Sequence, residues 1–236
     1  MNIALVLAGG SGSRVGAGCP KQYLEVNGRP MIAFCLETLS QAEEIDGLWI
    51  VAEEQWRNLI LQSVDTGKIK GFSRPGENRQ LSICQGLEDI AVFYNSCKES
   101  KDQAVCRKDT ILIHDAARPL LTKALIARCY EALQGHDGVM PVLPMKDTVY
   151  YSEDGKQVTS LLDRSRIYAG QAPELFDFQA YYRVCKAMSK EQLLRINGST
   201  ESAIQGGLDV VMIAGEEGNV KITTMEDWEK FCRERR

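Results

Sequence analysis

The sequence predicts an α/β fold: a mostly parallel, doubly wound sheet from which a β-hairpin arm projects. Three observations carry this. Short continuous apolar runs recur along the chain, and each is followed by a segment with helical spacing, as in βαβ units. The runs are apolar at consecutive positions, which suits strands buried on both faces. From Lys146 the rhythm changes to a hairpin pattern with an acidic glycine turn.

The first run, residues 3–8 (Ile-Ala-Leu-Val-Leu-Ala), reads as a buried strand and enters a glycine-rich loop from Gly9 to Gly18. Residues 31–41 carry helical spacing through Ile32, Cys35, Leu36 and Leu39. Strands are expected at 48–52, 69–72, 110–114 and 138–142, with helices at 55–64, 79–93 and 124–134 between them. The helix at 79–93 is expected to carry Leu81, Cys84, Leu87 and Ile90 or Ala91 on one apolar face, and the polar stretch 94–108 to be a surface loop or helix end. Thr148–Tyr151 and Gln157–Leu161 form the predicted hairpin around Ser152-Glu153-Asp154-Gly155. Helices at 178–189 and 190–194, a strand at 210–213 and a closing helix from Thr224, with Glu226 and Asp227 in its first turn, complete the chain. Without repeats or a low-complexity linker, residues 1–236 read as one domain with an arm at about 146–166.

Composition narrows the function classes. With 28 Lys plus Arg against 32 Asp plus Glu, and 44% hydrophobic residues, the chain has ordinary globular composition rather than that of a disordered protein. A pI near 5.4 argues against nucleic acid or an anionic membrane as the main partner. No apolar run approaches membrane-span length, and the N-terminus lacks the basic region and cleavage site of a signal peptide. The eight cysteines form no C-x-x-C pair and only two histidines are present, so a zinc site is not expected. Such scattered thiols in a chain without an export signal point to the cytoplasm.

Four segments carry candidate chemistry. In Leu7-Ala8-Gly9-Gly10-Ser11-Gly12-Ser13-Arg14, followed by Pro20-Lys21-Gln22, glycines after a strand let backbone N–H groups approach a phosphate, and Arg14 and Lys21 add positive charge. A tight turn explains the glycines but not the cations. Val15 breaks the dinucleotide fingerprint, and the G-K-[ST] of a Walker A loop is absent. Second, Ile113-His114-Asp115-Ala116-Ala117-Arg118 puts a carboxylate at the carboxyl end of a buried strand, where open α/β sheets bind ligands and where Mg2+ can be held against phosphates. The alternatives for Asp115 are a helix N-cap and an ion pair with Arg118; His114 reads as structural. Third, Lys146-Asp147-Thr148 and Asp163-Arg164-Ser165-Arg166 flank the arm; by composition alone they are an ordinary charged surface. Fourth, Lys221 lies in what reads as an otherwise apolar strand, Asn219 to Thr224, where its ammonium needs an anion or solvent.

Taken in order, L-A-G-G-S-G-S-R, P-K-Q-Y, G-E-N-R-Q-L-S, H-D-A-A-R-P, K-D-T, D-R-S-R-I-Y, Q-A-P-E-L-F and N-V-K-I-T-T-M-E-D-W resemble the 2-C-methyl-D-erythritol 4-phosphate cytidylyltransferases, with the ribitol-5-phosphate cytidylyltransferases as close relatives. The resemblance implies a Rossmann-like nucleotidyltransferase fold, CTP and a polyol phosphate as substrates, Mg2+, release of pyrophosphate, and a homodimer joined through the arm. It implies that Ala8, Gly9 and Gly10 lie at the base and sugar of the nucleotide, and that Arg14 and Lys21 hold the triphosphate. Gly76, Glu77, Ser82 and Ala116 would line the nucleotide pocket, with Glu77 where relatives often carry Asp. Asp115 would serve both the metal and the polyol, while Thr148, Arg164 and Lys221 would face the substrate phosphate or the reacting phosphorus. Two departures stand out: Gln171-Ala172-Pro173-Glu174 replaces a common Q-T-P-Q, so a threonine hydroxyl is missing, and Ser199-Thr200-Glu201-Ser202-Ala203 is found where relatives carry T-D-(D/E)-A-S before the final strand, but closer to that strand than their pattern. Tyr168-Ala169-Gly170-Gln171 and Gln55-Trp56 lean toward the ribitol-phosphate branch.

Overall fold

A computed structural model describes residues 1–10, 19–98 and 109–235. The chain runs through β1 (Asn2–Leu7), a 3-10 turn (Lys21–Tyr23), a short ribbon of β2 (Glu25–Val26) and β3 (Arg29–Pro30), and α1 (Met31–Gln41). β4 (Gly47–Val51), α2 (Glu54–Ser63), β5 (Ile69–Ser73), α3 (Arg79–Lys98), β6 (Thr110–Asp115), α4 (Lys123–Ala132) and β7 (Gly138–Pro144) follow. The arm holds β8 (Val149–Tyr151) and β9 (Ser160–Leu162), and a second 3-10 turn (Arg164–Arg166) leads to β10 (Tyr168–Gly170) and β11 (Glu174–Asp177). The chain closes with α5 (Phe178–Ala187), α6 (Lys190–Arg195), α7 (Ser199–Gln205), β12 (Val210–Ala214) and α8 (Met225–Glu234).

Among the described residues the main sheet has eight strands. β5, β4, β1 and β6 run parallel; β11 lies antiparallel between β6 and β7, and β12 runs parallel along β7. β10 pairs antiparallel with β7 as well. The sheet is thus mostly parallel, as expected. β1 shows why its sequence is uniformly apolar. Ala4 and Val6 enter a core beneath α1 and α4, while Ile3 and Leu5 face a second core beneath α3 and α5. Leu5 is wholly buried, and its truncation to Ala would cost about 2–5 kcal/mol. A third cluster joins Val26, Met31, Ile222 and Phe231, seating α8 beside α1.

Several expectations need correction. α3 continues to Lys98, because Tyr94 is a core residue: it packs edge-on against Phe178 at 4.8 Å and its hydroxyl donates to the Met1 carbonyl at 2.9 Å. The buried stripe of α3 is Ile83, Leu87, Ile90 and Tyr94, with Leu81 and Cys84 only half-buried. That rotation turns Gln80 inward, where its amide donates to Tyr181 and Ser202, each at 3.2 Å. In the arm, β9 begins at Ser160, since Asp154 accepts the Lys156 and Gln157 N–H groups and commits them to the turn. Residues 219–223 form no strand. β10, β11 and α7 were not anticipated, and the expected loop between Gly9 and Gly18 lies mostly outside the described residues. No helix among the described residues is long and apolar enough to cross a membrane.

Candidate active site

The carboxyl ends of β1 and β6, the start of α3 and the segment before α8 enclose a cavity of about 540 Å³. Its floor is the turn after β1. The Ala8 N–H donates to the Val51 carbonyl at 2.9 Å, which carries β1 pairing one residue further. Gly9 then passes so close to Pro75 that a Cβ would sit 2.4 Å from the proline Cβ, so only glycine fits. Across the cavity, a Cβ on Gly76 would lie 2.7 Å from the backbone of Leu81. The Gly76 N–H instead donates to the Ser82 hydroxyl at 3.0 Å, and that hydroxyl donates to the Asn78 carbonyl at 2.8 Å. Glu77 stands at the rim, ion-paired with Lys190 of α6.

Asp115 ends β6 and is the charged centre of the site. One carboxylate oxygen accepts from Arg79 Nε at 3.0 Å and the other pairs with Lys221 Nζ at 2.7 Å. Burial alone would raise its pKa, but Arg79 and then Lys221 outweigh that and hold the carboxyl well below the usual range. Arg79 also donates through Nη1 to Ser199 at 2.9 Å and pairs through Nη2 with Glu174 at 3.3 Å. Its guanidinium is shifted upward, because the two carboxylates overcome the effect of its burial. Glu174 is deeper, and its burial pushes its pKa up despite Arg79. It accepts from the Ser199 hydroxyl and from Thr200 Oγ1, the latter at 2.9 Å. A chain of alternating charge, Lys221–Asp115–Arg79–Glu174, therefore runs along one wall.

Lys221 reaches Asp115 because its neighbours are fixed. Ile222 is buried beside Phe231 and its N–H donates to the Ala117 carbonyl at 2.8 Å; the Asn219 amide donates to the Ala172 carbonyl at 2.7 Å. The lysine thus lies on an extended, non-strand segment whose main-chain bonds hold it against an anion. Neither alternative for Asp115 holds. Arg118 donates to the Asn219 carbonyl at 2.6 Å instead of pairing with Asp115, and the next helix is capped by Thr122. His114 is structural: it is wholly buried, its Nε2 meets the Arg118 carbonyl at 3.0 Å, and burial lowers its pKa to about 4, so the ring is neutral near pH 7.

Of the residues singled out in the sequence, Gly9, Gly10, Lys21, Gly76, Glu77, Ser82, Asp115, Ala116 and Lys221 line this one cavity. Ala8 sits behind it, buried, with its carbonyl accepting from Gln22 and Tyr23. Arg14 lies outside the described residues. Thr148 and Arg164 do not line the cavity; both are exposed at the arm, where Arg164 donates to the Lys146 carbonyl at 2.7 Å. Gln22, Asn78, Arg79 and Thr223 also line the cavity, and Glu174 and Thr200 lie in the network behind it; none of the six is expected as a site residue from the sequence. Arg79 did leave a signal. A cation in the first turn of a helix opposes the macrodipole and calls for a carboxylate elsewhere to hold it.

The Gly9–Gly10 turn, Lys21, Arg79 and Lys221 share this cavity with Asp115 at the carboxyl ends of parallel strands, a place and a charge pattern suited to the phosphates of a nucleotide, and the relatives of the chain are nucleotidyltransferases. The family model described as IspD, 2-C-methyl-D-erythritol 4-phosphate cytidylyltransferase, matches residues 2–231, and the chain belongs to this family. It is 37% identical to the 2-C-methyl-D-erythritol 4-phosphate cytidylyltransferase of Rubrobacter xylanophilus, across 95% of this chain and 90% of that one. It is 29% identical to a ribitol-5-phosphate cytidylyltransferase of Streptococcus agalactiae serotype V, across 98% of this chain and 93% of that one. The crystal structure of 4-diphosphocytidyl-2C-methyl-D-erythritol synthase from Anaerococcus prevotii superposes with a TM-score of 0.77 at 25% identity, covering 99% of this chain and 95% of that one.

Proposed function

We propose that the protein transfers the cytidylyl group of CTP to 2-C-methyl-D-erythritol 4-phosphate, releasing pyrophosphate. The observation that carries this is Asp115, ionised and clamped between Arg79 and Lys221, facing the same cavity as the Gly9–Gly10 turn, Gly76 and Lys21. The greater identity to an erythritol-phosphate relative than to the ribitol-phosphate one favours that acceptor.

The chemistry asks for positioning and charge. The second pKa of a phosphate monoester lies near 6, so the attacking oxygen is mostly ionised at pH 7 and needs no strong base. What opposes reaction is the repulsion between this dianion and the triphosphate. The acceptor oxygen bonds to the α-phosphorus as the bond from that phosphorus to the β-phosphate oxygen breaks. Lys21 stabilises the departing pyrophosphate and Lys221 the oxygens of the α-phosphate. Gly76, Glu77, Ser82 and Ala116 enclose the cytidine.

A single carboxylate suits Mg2+, which takes its other ligands from phosphates and water; among the described residues no group of three or more His, Cys, Asp or Glu gathers. Asp115 would hold that ion, which would neutralise charge on the phosphates. In this reading the protein is a cytoplasmic homodimer whose arm carries Thr148 and Arg164 to the acceptor phosphate of the partner's cavity. The six free thiols among the described residues and the exposed apolar side chains of the arm support it.

A pyrophosphate-release assay with CTP and each acceptor tests the assignment. Turnover with 2-C-methyl-D-erythritol 4-phosphate should exceed that with ribitol 5-phosphate; the reverse order would move the protein to the ribitol-phosphate branch.

A further inference from the structure

We propose that Gln22 is a positioning residue of the nucleotide site, a clamp that fixes the turn after β1 and ties it to the 3-10 turn bearing Lys21. Its buried side-chain amide donates to two main-chain carbonyls, Ala8 at 2.7 Å and Gly10 at 2.8 Å. The neighbouring Tyr23 hydroxyl donates to the same Ala8 oxygen at 2.9 Å. The Tyr23 ring is held in turn by a stacked contact with Trp56 of α2, centroids 4.4 Å apart.

The arrangement has a consequence for binding. In a trans peptide the C=O and N–H lie on opposite sides of one rigid plane. Holding the Ala8 oxygen therefore sets the direction of the Gly9 N–H, and the bond to the Gly10 oxygen pins the turn two residues further on. Glycines leave these planes free to rotate, so without an external hold the turn would sample many orientations. An anion cradle made of main-chain amides works only when those amides are oriented before the anion arrives. Gln22 supplies that hold, and because it follows Lys21 directly, the same side chain fixes where the lysine stands relative to the loop. A carboxamide nitrogen has two hydrogens, and both are used.

This inference rests on the reading of the cavity as the CTP site, and calorimetry of CTP with Mg2+ separates the two. Three proteins are compared: the native chain, Gln22→Met, which keeps side-chain length but donates nothing, and Tyr23→Phe, which removes only the hydroxyl. Gln22→Met should bind CTP about ten-fold more weakly, the scale of losing two neutral hydrogen bonds. Tyr23→Phe should lose about three-fold, the scale of one. The KM for the polyol phosphate should stay within about two-fold in both, which a general loosening of the fold would not produce. Native CTP affinity in Gln22→Met, or an equal weakening toward both substrates, overturns the clamp. If Gln22→Met does not fold, native affinity in Tyr23→Phe overturns it alone. A native chain that does not bind CTP would instead overturn the reading of the cavity.

Discussion

The site depends on how few side chains hold one carboxylate. Asp115 is kept ionised by two cations from distant parts of the chain, Arg79 at the start of α3 and Lys221 ahead of α8. Asp115, Lys21 and Lys221 were legible in the sequence, since a strand end, a post-glycine lysine and a lysine among apolar residues each mark a place where charge is costly without a purpose. Arg79 left only a local hint, a cation in the first turn of a helix; its partners stand 36 and 95 positions away, and no spacing names them. Glu174 was legible only as a departure from a family pattern; its burial against Ser199, Thr200 and Arg79 is a product of the tertiary fold. Lys21→Ala should lower kcat by about 100-fold or more, the cost of removing one preorganised charge at a developing anion. Steady-state kinetics at saturating CTP would show it, and near-native turnover would remove Lys21 from the leaving-group role.

The elements divide by the kind of signal that specifies them. β1, β4 and β6 were read correctly because strands buried on both faces are apolar at every position. β10 and β11 escaped notice because three- and four-residue antiparallel strands carry too few residues for a period to show. The segment at 219–223 carries strand-like residues, yet it is fixed by tertiary hydrogen bonds to Ala117 and Ala172 instead of a ladder. α8 was announced by its start. Thr224 caps it, its hydroxyl accepting from the Asp227 N–H at 3.2 Å, while Asp227 accepts from the Thr223 and Thr224 N–H groups at 2.8 Å each. These bonds to the ionised form lower the Asp227 pKa to about 2. A carboxyl depressed in the folded state stabilises it above its unfolded pKa, near 3.9, and loses that contribution as pH falls toward the folded value. Asp227→Asn should therefore be less stable than the native chain at pH 7, and the difference should shrink between about pH 4 and pH 2. Denaturant titrations across that window check it; a constant difference would show that the charge at 227 is not what holds the cap.

At the scale of the whole molecule, the arm is the part whose shape was legible and whose purpose one chain does not exhaust. Tyr150 and Leu161, partners across β8 and β9, project from it with 59% and 64% of their surface exposed, an apolar pair suited to contact with a second chain. Sedimentation should find a dimer, and Tyr150→Asp with Leu161→Asp should shift it toward monomer. Because the arm carries Arg164, Arg164→Ala should raise the KM for the polyol phosphate with little change in that for CTP, as loss of a bidentate phosphate ligand would. A raised KM for CTP instead would put Arg164 on the other substrate. These expectations share one physical premise: main-chain amides and fixed cations around a single cavity hold two anions that would otherwise repel each other. The most direct test is a crystal structure with CTP and Mg2+ bound. The cytosine and ribose should lie between the Gly9–Gly10 turn and Gly76–Ser82, with the triphosphate reaching toward Lys21 and Asp115. A nucleotide bound anywhere else on the molecule would contradict it.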